Sequence, residues 1–87
     1  MKTFVLKISS PEGDVYSGDA VKLVVRAAEG DLAIMAGHIP FVTYLKPCEA
    51  KIELTDGTEK FGTLESGILT VSSEKTILLS GDFAWKE

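Results

Sequence analysis

Residues 29–47 read EGDLAIMAGHIPFVTYLKP and contain the features that decide the fold. An acidic turn, Glu29 to Asp31, leads into a short apolar run. A Gly-His-Ile-Pro corner at residues 37–40 separates that run from a second one, which ends in Lys-Pro. Short apolar runs bounded by turn residues are typical of β-strands with tight connections. The segment therefore predicts a turn, a strand, a corner and another strand.

Outside this segment the apolar residues recur with a period of two, most clearly over residues 4–9, 21–26 and 49–54. That period places the apolar side chains on one face of a sheet. It predicts an all-β chain with no helix longer than about two turns, folded as a sandwich or a barrel. The Asp-Gly pair in residues 55–58 predicts a hairpin with a type I′ turn. Residues 17–19, Ser-Gly-Asp, predict a bulge or bend.

Composition restricts the function. A chain of 87 residues predicts one domain, residues 1–87. The net charge of −4 and the scattered Lys and Arg residues disfavour binding to nucleic acid or to anionic lipid. No apolar run approaches the ~20 residues of a membrane helix, so no direct membrane insertion is expected. Cys48 alone cannot form an internal disulfide, which fits a reducing cytosol, and residues 1–3 do not resemble a signal peptide.

The segment 29–47 resembles GELGILPGHAPLLTALKPG of the epsilon subunit of F-type ATP synthases. The likeness extends to residues 4–12, 15–18 and 64–71. The resemblance implies a small sandwich of two sheets with about ten short strands. The family usually adds a C-terminal helical hairpin, which would begin where this chain ends. The residues shared within the segment are Gly30, Leu32, Ile34, Gly37, His38, Pro40, Thr43, Leu45, Lys46 and Pro47.

The same resemblance implies a non-catalytic central-stalk subunit that links the gamma subunit to the c-ring and couples ion translocation to ATP synthesis. Such a subunit is peripheral, on the cytoplasmic face of the cell membrane, and uses no cofactor. No ATP binding is expected, because the sequence has no GxxxxGKS or GxxxxGKT motif and the hairpin that binds ATP in some members has no counterpart here. A stand-alone β-sandwich binding module that shares only the scaffold is the alternative. An enzyme that uses Cys48 as a nucleophile is a third.

The resemblance also assigns two partner surfaces. Five residues, 32–36, separate the two loops and span about 17 Å in an extended strand, so both surfaces are expected at one end or edge of the sandwich. A corner in which His38 only bonds the backbone is the other interpretation of that residue. The surface for gamma comprises Met35, His38, Ile39, Phe41 and Thr43, and the surface for the c-ring comprises Glu29, Gly30 and Asp31.

Three positions depart from the family: Ala33, Ala36 and Cys48 replace Gly, Pro and Gly. If the backbone at Cys48 required a positive φ, the cysteine would be strained there. Two aromatic residues, Phe83 and Trp85, lie in the C-terminal segment. They either pack back on the sandwich or meet a partner.

Overall fold

Ten short strands account for most of residues 2–86, the part of the chain that the structure, a computed structural model, describes. Met1 and Glu87 lie outside the described residues. No helix occurs among residues 2–86, as the period of two predicted. The strands are β1 (Phe4–Ser10), β2 (Gly13–Ala20), β3 (Lys22–Ala27), β4 (Gly30–Ile34), β5 (Phe41–Leu45), β6 (Cys48–Glu53), β7 (Glu59–Leu64), β8 (Gly67–Val71), β9 (Lys75–Leu79) and β10 (Ala84–Trp85).

The strands form two layers. The first layer has the order β10-β7-β6-β3-β4, and the second has the order β5-β8-β9-β1-β2. The layers join where Ala27 of β3 pairs with Leu45 of β5, so hydrogen bonds run through all ten strands as one curled sheet. Lys46 and Pro47 carry the chain from β5 in one layer to β6 in the other. The all-β sandwich of about ten strands is thus confirmed, and its two sheets are continuous at this corner.

The core lies between the layers, because each strand turns alternate residues inward. β1 contributes Leu6 and Ile8, which are completely buried, while their outward neighbours are not. Burying one such aliphatic side chain contributes about 1.5–3 kcal/mol. Both layers contribute to the core, and the largest fully buried side chains are Leu6, Ile8, Leu23, Val25, Ile34, Ile52, Leu69 and Leu78.

Two of the predicted connections differ in detail. The hairpin at residues 54–58 forms, but Gly57 alone has a positive φ, of 87°. A type I′ turn needs positive φ at both central residues, so that assignment was wrong. The bulge predicted at residues 17–19 is also misplaced. The register of β1 against β2 shifts instead between Ile8 and Ser9, which leaves Val15 as the extra residue.

The C-terminal segment packs back on the sandwich. The ring of Phe83 lies over Gly62, where an added Cβ would be 2.2 Å from the ring. Trp85 contacts Phe83 edge-on at 5.1 Å between centroids and Tyr16 at 6.3 Å. Lys60 Nζ lies 5.0 Å from the centre of the Trp85 ring. Since Tyr16 belongs to the edge strand β2 and Trp85 to the edge strand β10, these aromatics connect the free edges of the two layers.

Candidate functional site

The acidic turn connects β3 to β4. Gly30 has a φ of 134°, which an L-residue rarely adopts, so glycine is suited to this reversal. Glu29 is exposed. Asp31 instead accepts a hydrogen bond from Nε of Arg26, its cross-strand partner, at 3.1 Å. Thus one of the two carboxylates of the turn has an internal cationic partner.

His38 is a structural residue of the corner. Its Nδ1 lies 2.9 Å from the Ile39 carbonyl oxygen and is placed to donate to it, and its backbone N–H donates to the Met35 carbonyl at 3.2 Å. The ring lies 5.0 Å from that of Phe41. The backbone bond of His38 predicted from the sequence is present, and its contact with gamma stays a prediction.

The five residues predicted to face gamma do not share one orientation. Met35 and Ile39 are 52% and 77% exposed. Phe41 and Thr43 are half-buried, because they lie on the same face of β5 as the buried Leu45 and point toward the interior. Only Met35 and Ile39 among the apolar members offer large exposed surfaces.

The outward residues of β5 belong to an apolar surface that lies outside the five residues predicted to face gamma. Val42 and Tyr44 are 66% and 71% exposed, and Tyr44 pairs with Ile68 of β8, which pairs with Leu79 of β9. We call these four residues the apolar face; it is the outer face of the second layer. Single exposed apolar residues are common, but a contiguous row across three strands indicates an interaction surface. Side chains alternate along a strand, so an inward Leu45 directs Val42 and Tyr44 outward. This alternation is the signal that could have identified the apolar surface.

The acidic turn and the corner lie at opposite ends of strand β4. Edge strand β4 begins at Gly30, in the turn, and ends at Ile34, just before the corner. Five residues of strand span about 17 Å. Both loops therefore flank one edge strand, in agreement with the expectation that they lie at one end or edge of the sandwich.

Cys48 is the first residue of β6 and is half-buried. No residue other than glycine has a positive φ within residues 2–86, so Cys48 does not carry the backbone strain that a positive φ would cause. Its Sγ accepts the backbone N–H of Arg26 at 3.4 Å.

In the described part of the chain, no cluster of His, Cys, Asp or Glu is arranged to hold a metal ion. Nor do residues 2–86 include a helix that could cross a membrane.

A polar cluster at the turn end joins two of the connections between the layers, β7 to β8 and β9 to β10. Asp82 accepts a hydrogen bond from the N–H of Glu65 at 3.1 Å and from the hydroxyl of the buried Ser80 at 2.9 Å. These bonds, that of Glu65 first, lower the pKa of the Asp82 carboxyl below its ordinary value. The cluster is structural, since its donors are already satisfied by protein acceptors.

Comparison with known families gives a match over nearly the whole chain. The family model described as "ATP synthase, Delta/Epsilon chain, beta-sandwich domain" matches residues 3–86. The chain is 38% identical over 86 residues to the ATP synthase epsilon chain of Clostridium novyi, covering 99% of this chain and 66% of that one. It is equally identical to the sodium ion specific ATP synthase epsilon chain of Acetobacterium woodii, covering 99% and 65%. The chain thus spans slightly less than two thirds of the length of these relatives.

The fold has a counterpart among solved structures. A chain in the mitochondrial ATP synthase of Euglena gracilis, solved as an OSCP/F1/c-ring assembly, superposes with a TM-score of 0.89 over 95% of this chain and 53% of its own length. The sequences are only 16% identical, so this likeness concerns the fold alone. The curated relatives, in contrast, are similar in sequence as well, which distinguishes the chain from one that shares only the scaffold.

Proposed function

We propose that this chain, which belongs to the delta/epsilon family of ATP synthase through its beta-sandwich domain, is a non-catalytic component of the central stalk. In this role it links gamma to the c-ring and couples ion translocation to ATP synthesis. It acts as a single unit, peripheral, on the cytoplasmic face of the membrane. The observation that carries the proposal is the placement of two chemically different surfaces at the two ends of one strand, β4.

Gamma is the proposed partner of the corner and the adjoining apolar face. Ile39, Val42 and Tyr44 follow one another along the chain and are the most exposed large apolar residues among residues 2–86. The core of a protein interface is depleted of charge and enriched in such side chains. A partner that covered this surface would remove apolar area from water, and it would use the corner residues Met35, His38 and Ile39 together with β5.

The c-ring is the proposed partner of the acidic turn. Glu29 and Asp31 are exposed, at the end of β4 away from the corner. Exposed charges at a rim guide docking and register more than they increase affinity. A weak, charge-guided contact at the turn and a separate apolar contact suit a rigid element between two partners. The close-packed core makes such an element stiff.

No catalysis, cofactor or ATP site is part of this proposal. The sequence has no motif that cradles phosphate, and no side chain in the proposed surfaces pairs a nucleophile with a base. Cys48 has the role of a small strand residue. Micromolar ATP affinity by calorimetry would contradict this part of the proposal.

A binding experiment with both partners tests the placement of the two surfaces. The immobilised chain is exposed to isolated gamma, to the isolated c-ring in detergent, and to both in sequence. We expect each to bind and neither to displace the other, because the two proposed surfaces have no residue in common. Mutual displacement would overturn the two-surface arrangement, and absence of binding to either would overturn the stalk function.

A further inference from the structure

We propose that Arg26 masks Asp31, so that Glu29 is the residue that presents negative charge to a basic partner at the acidic turn. The inference rests on the proposed function, since it concerns the contact assigned there to the c-ring. It names Arg26 as a determinant of that contact. It also gives the two acidic residues unequal weight, whereas the resemblance to the family assigned both of them to the c-ring surface.

The geometry of the hairpin fixes Arg26 beside Asp31. The two residues are direct cross-strand partners of β3 and β4, and both point to the outer face. The backbone of Arg26 is held where the layers join: its N–H donates to Cys48 Sγ at 3.4 Å, and its carbonyl accepts from the Lys46 N–H at 2.9 Å. The guanidinium therefore starts from a fixed point and reaches the Asp31 carboxylate with a bond of 3.1 Å.

The pair is exposed and joined by one hydrogen bond. The side chains of Arg26 and Asp31 are 58% and 74% exposed. A surface pair of this kind is weak, so an approaching cation can displace Arg26. It must nevertheless compete with a cation that is always present, and this lowers the effective charge of Asp31. Glu29 makes no ion pair and no side-chain hydrogen bond among the residues described, so its carboxylate faces solvent without such competition.

The chain contains a second turn with the same three residues. Glu12-Gly13-Asp14 connects β1 to β2, and Gly13 has a φ of 131° against 134° at Gly30. Asp14 lies 3.7 Å from Lys7 Nζ and accepts a bond from the Ser9 hydroxyl at 2.9 Å. Both turns lie at the same end of the sandwich. Ser9 of β1 pairs with Leu79 of β9, and the neighbouring strands β8 and β5 continue this row to Ala27 of β3 and Gly30 of β4. Lys7 therefore provides a matched control for Arg26.

The test uses two probes, the isolated c-ring and a tetralysine peptide, at low and high salt. The variants are Arg26→Gln, Glu29→Gln, Asp31→Asn and the double variant Arg26→Gln/Asp31→Asn. We expect Arg26→Gln to tighten binding by about two- to fivefold at low salt, the size of a surface ion-pair effect. Glu29→Gln should weaken binding more than Asp31→Asn does. Asp31→Asn should have a larger effect in the Arg26→Gln background than in the wild type.

Lys7→Gln controls for net charge, because it makes the same change of charge at the matched turn. It should leave ring binding unchanged, and equal tightening by Lys7→Gln would overturn the inference. So would weaker binding of Arg26→Gln, which would show that Arg26 orients the carboxylate or contacts the partner itself. The tetralysine arm, read from the amide chemical shifts of Gly30 against those of Gly13, is independent of the ring. If no variant binds the ring, the proposed function fails, and tetralysine still decides the role of Arg26.

Discussion

The two outer faces of the sandwich differ in chemistry although their inner faces are alike. The first layer presents ion pairs outward: Lys51 with Glu59 at 2.9 Å and Lys86 with Glu49 at 2.6 Å. The second layer presents the apolar face, in which Tyr44 is 71% exposed. Inward, both layers contribute completely buried aliphatic residues. The alternation that builds the core leaves every second residue free to vary, and the difference between the layers lies in those residues.

This difference separates a surface suited to water from one suited to a partner. Exposed ion pairs keep their hydration and contribute little to stability, so the charged face gains little from being covered. An exposed apolar row gains about 25 cal/mol for each Å² removed from water. The contrast therefore predicts that equal substitutions on the two faces have unequal consequences for binding.

The largest effect is expected for Tyr44→Lys. The substitution places an ammonium in the middle of the apolar face, where a bound gamma subunit would have to desolvate it. Affinity for gamma should fall about 100-fold, a loss typical of a central anchor. Stability should change by less than about 0.5 kcal/mol, because the side chain is exposed. Titration calorimetry and urea unfolding measure the two quantities.

Thr63→Lys on the first layer is the matched control. Thr63 is exposed, pairs with Glu49, and receives the same new side chain with the same change of charge. Its affinity for gamma should equal that of the wild type. A loss of similar size for both variants would mean that gamma does not distinguish the faces, and the assignment of the apolar face would be wrong.

Gly62→Val is expected to have the next largest effect, and it concerns the side where the free edges of the layers meet. An added Cβ would meet three atoms of the Phe83 ring at 2.2, 2.8 and 2.9 Å. The ring must leave, and the Trp85 packing against Phe83 and Tyr16 is then disturbed. The free energy of unfolding should decrease by about 1–3 kcal/mol.

Thermal unfolding and the quenching of Trp85 fluorescence by iodide measure this effect. Gly81→Ala is the control, since a Cβ added at Gly81 would have no atom within 4 Å. Unchanged stability of Gly62→Val would show that the C-terminal aromatics connect the layers without stabilising them.

Most of the fold followed from the sequence because the period of two is a local signal. The strands around Leu6, Leu23 and Ile52 were assigned correctly, since each apolar set alternates without interruption. The errors arose at glycines, because a glycine permits several backbone conformations and its presence alone does not select one. Gly18 was interpreted as a bend, yet it continues β2. A Cβ added at Gly18 would lie 3.2 Å from the Tyr16 hydroxyl oxygen.

The sequence predicted the two loops of the candidate site, but it did not predict which strand residues form the apolar face. The turn and the corner carry sequence motifs, whereas the apolar face is assembled from residues of three strands distant in sequence. Which residues of β5 point outward follows from the burial of Leu45, and that requires knowledge of the sheet order. The Arg26–Asp31 pair likewise depends on the register of β3 against β4.

A smaller effect separates the two apolar residues of the corner segment. Ile39→Ala should weaken gamma binding by about 1 kcal/mol without loss of stability, because Ile39 is 77% exposed. Phe41→Ala should instead lower the free energy of unfolding by about 1–3 kcal/mol, since Phe41 packs against the core and His38. Parallel binding and unfolding measurements distinguish them. Equal loss of binding at preserved stability in both variants would place Phe41 in the interface.

The smallest effect concerns pH and two of the crossings between the differing layers. Glu65 lies between β7 and β8, and Asp82 lies between β9 and β10, so their hydrogen bond joins both crossings. Because the pKa of Asp82 is lowered in the folded state, its carboxylate stabilises the fold above the unfolded value of about 3.9. That stabilisation is lost as the pH falls through the folded pKa. Asp82→Asn should therefore be less stable than the wild type at pH 7, and the difference should shrink as the pH falls below about 4.

Urea unfolding at neutral and acid pH, with Glu74→Gln as an exposed control, measures the difference in the free energy of unfolding between Asp82→Asn and the wild type. A difference that persists in acid would mean that the amide disturbs the geometry of the cluster and that the charge of Asp82 does not tie the layers together.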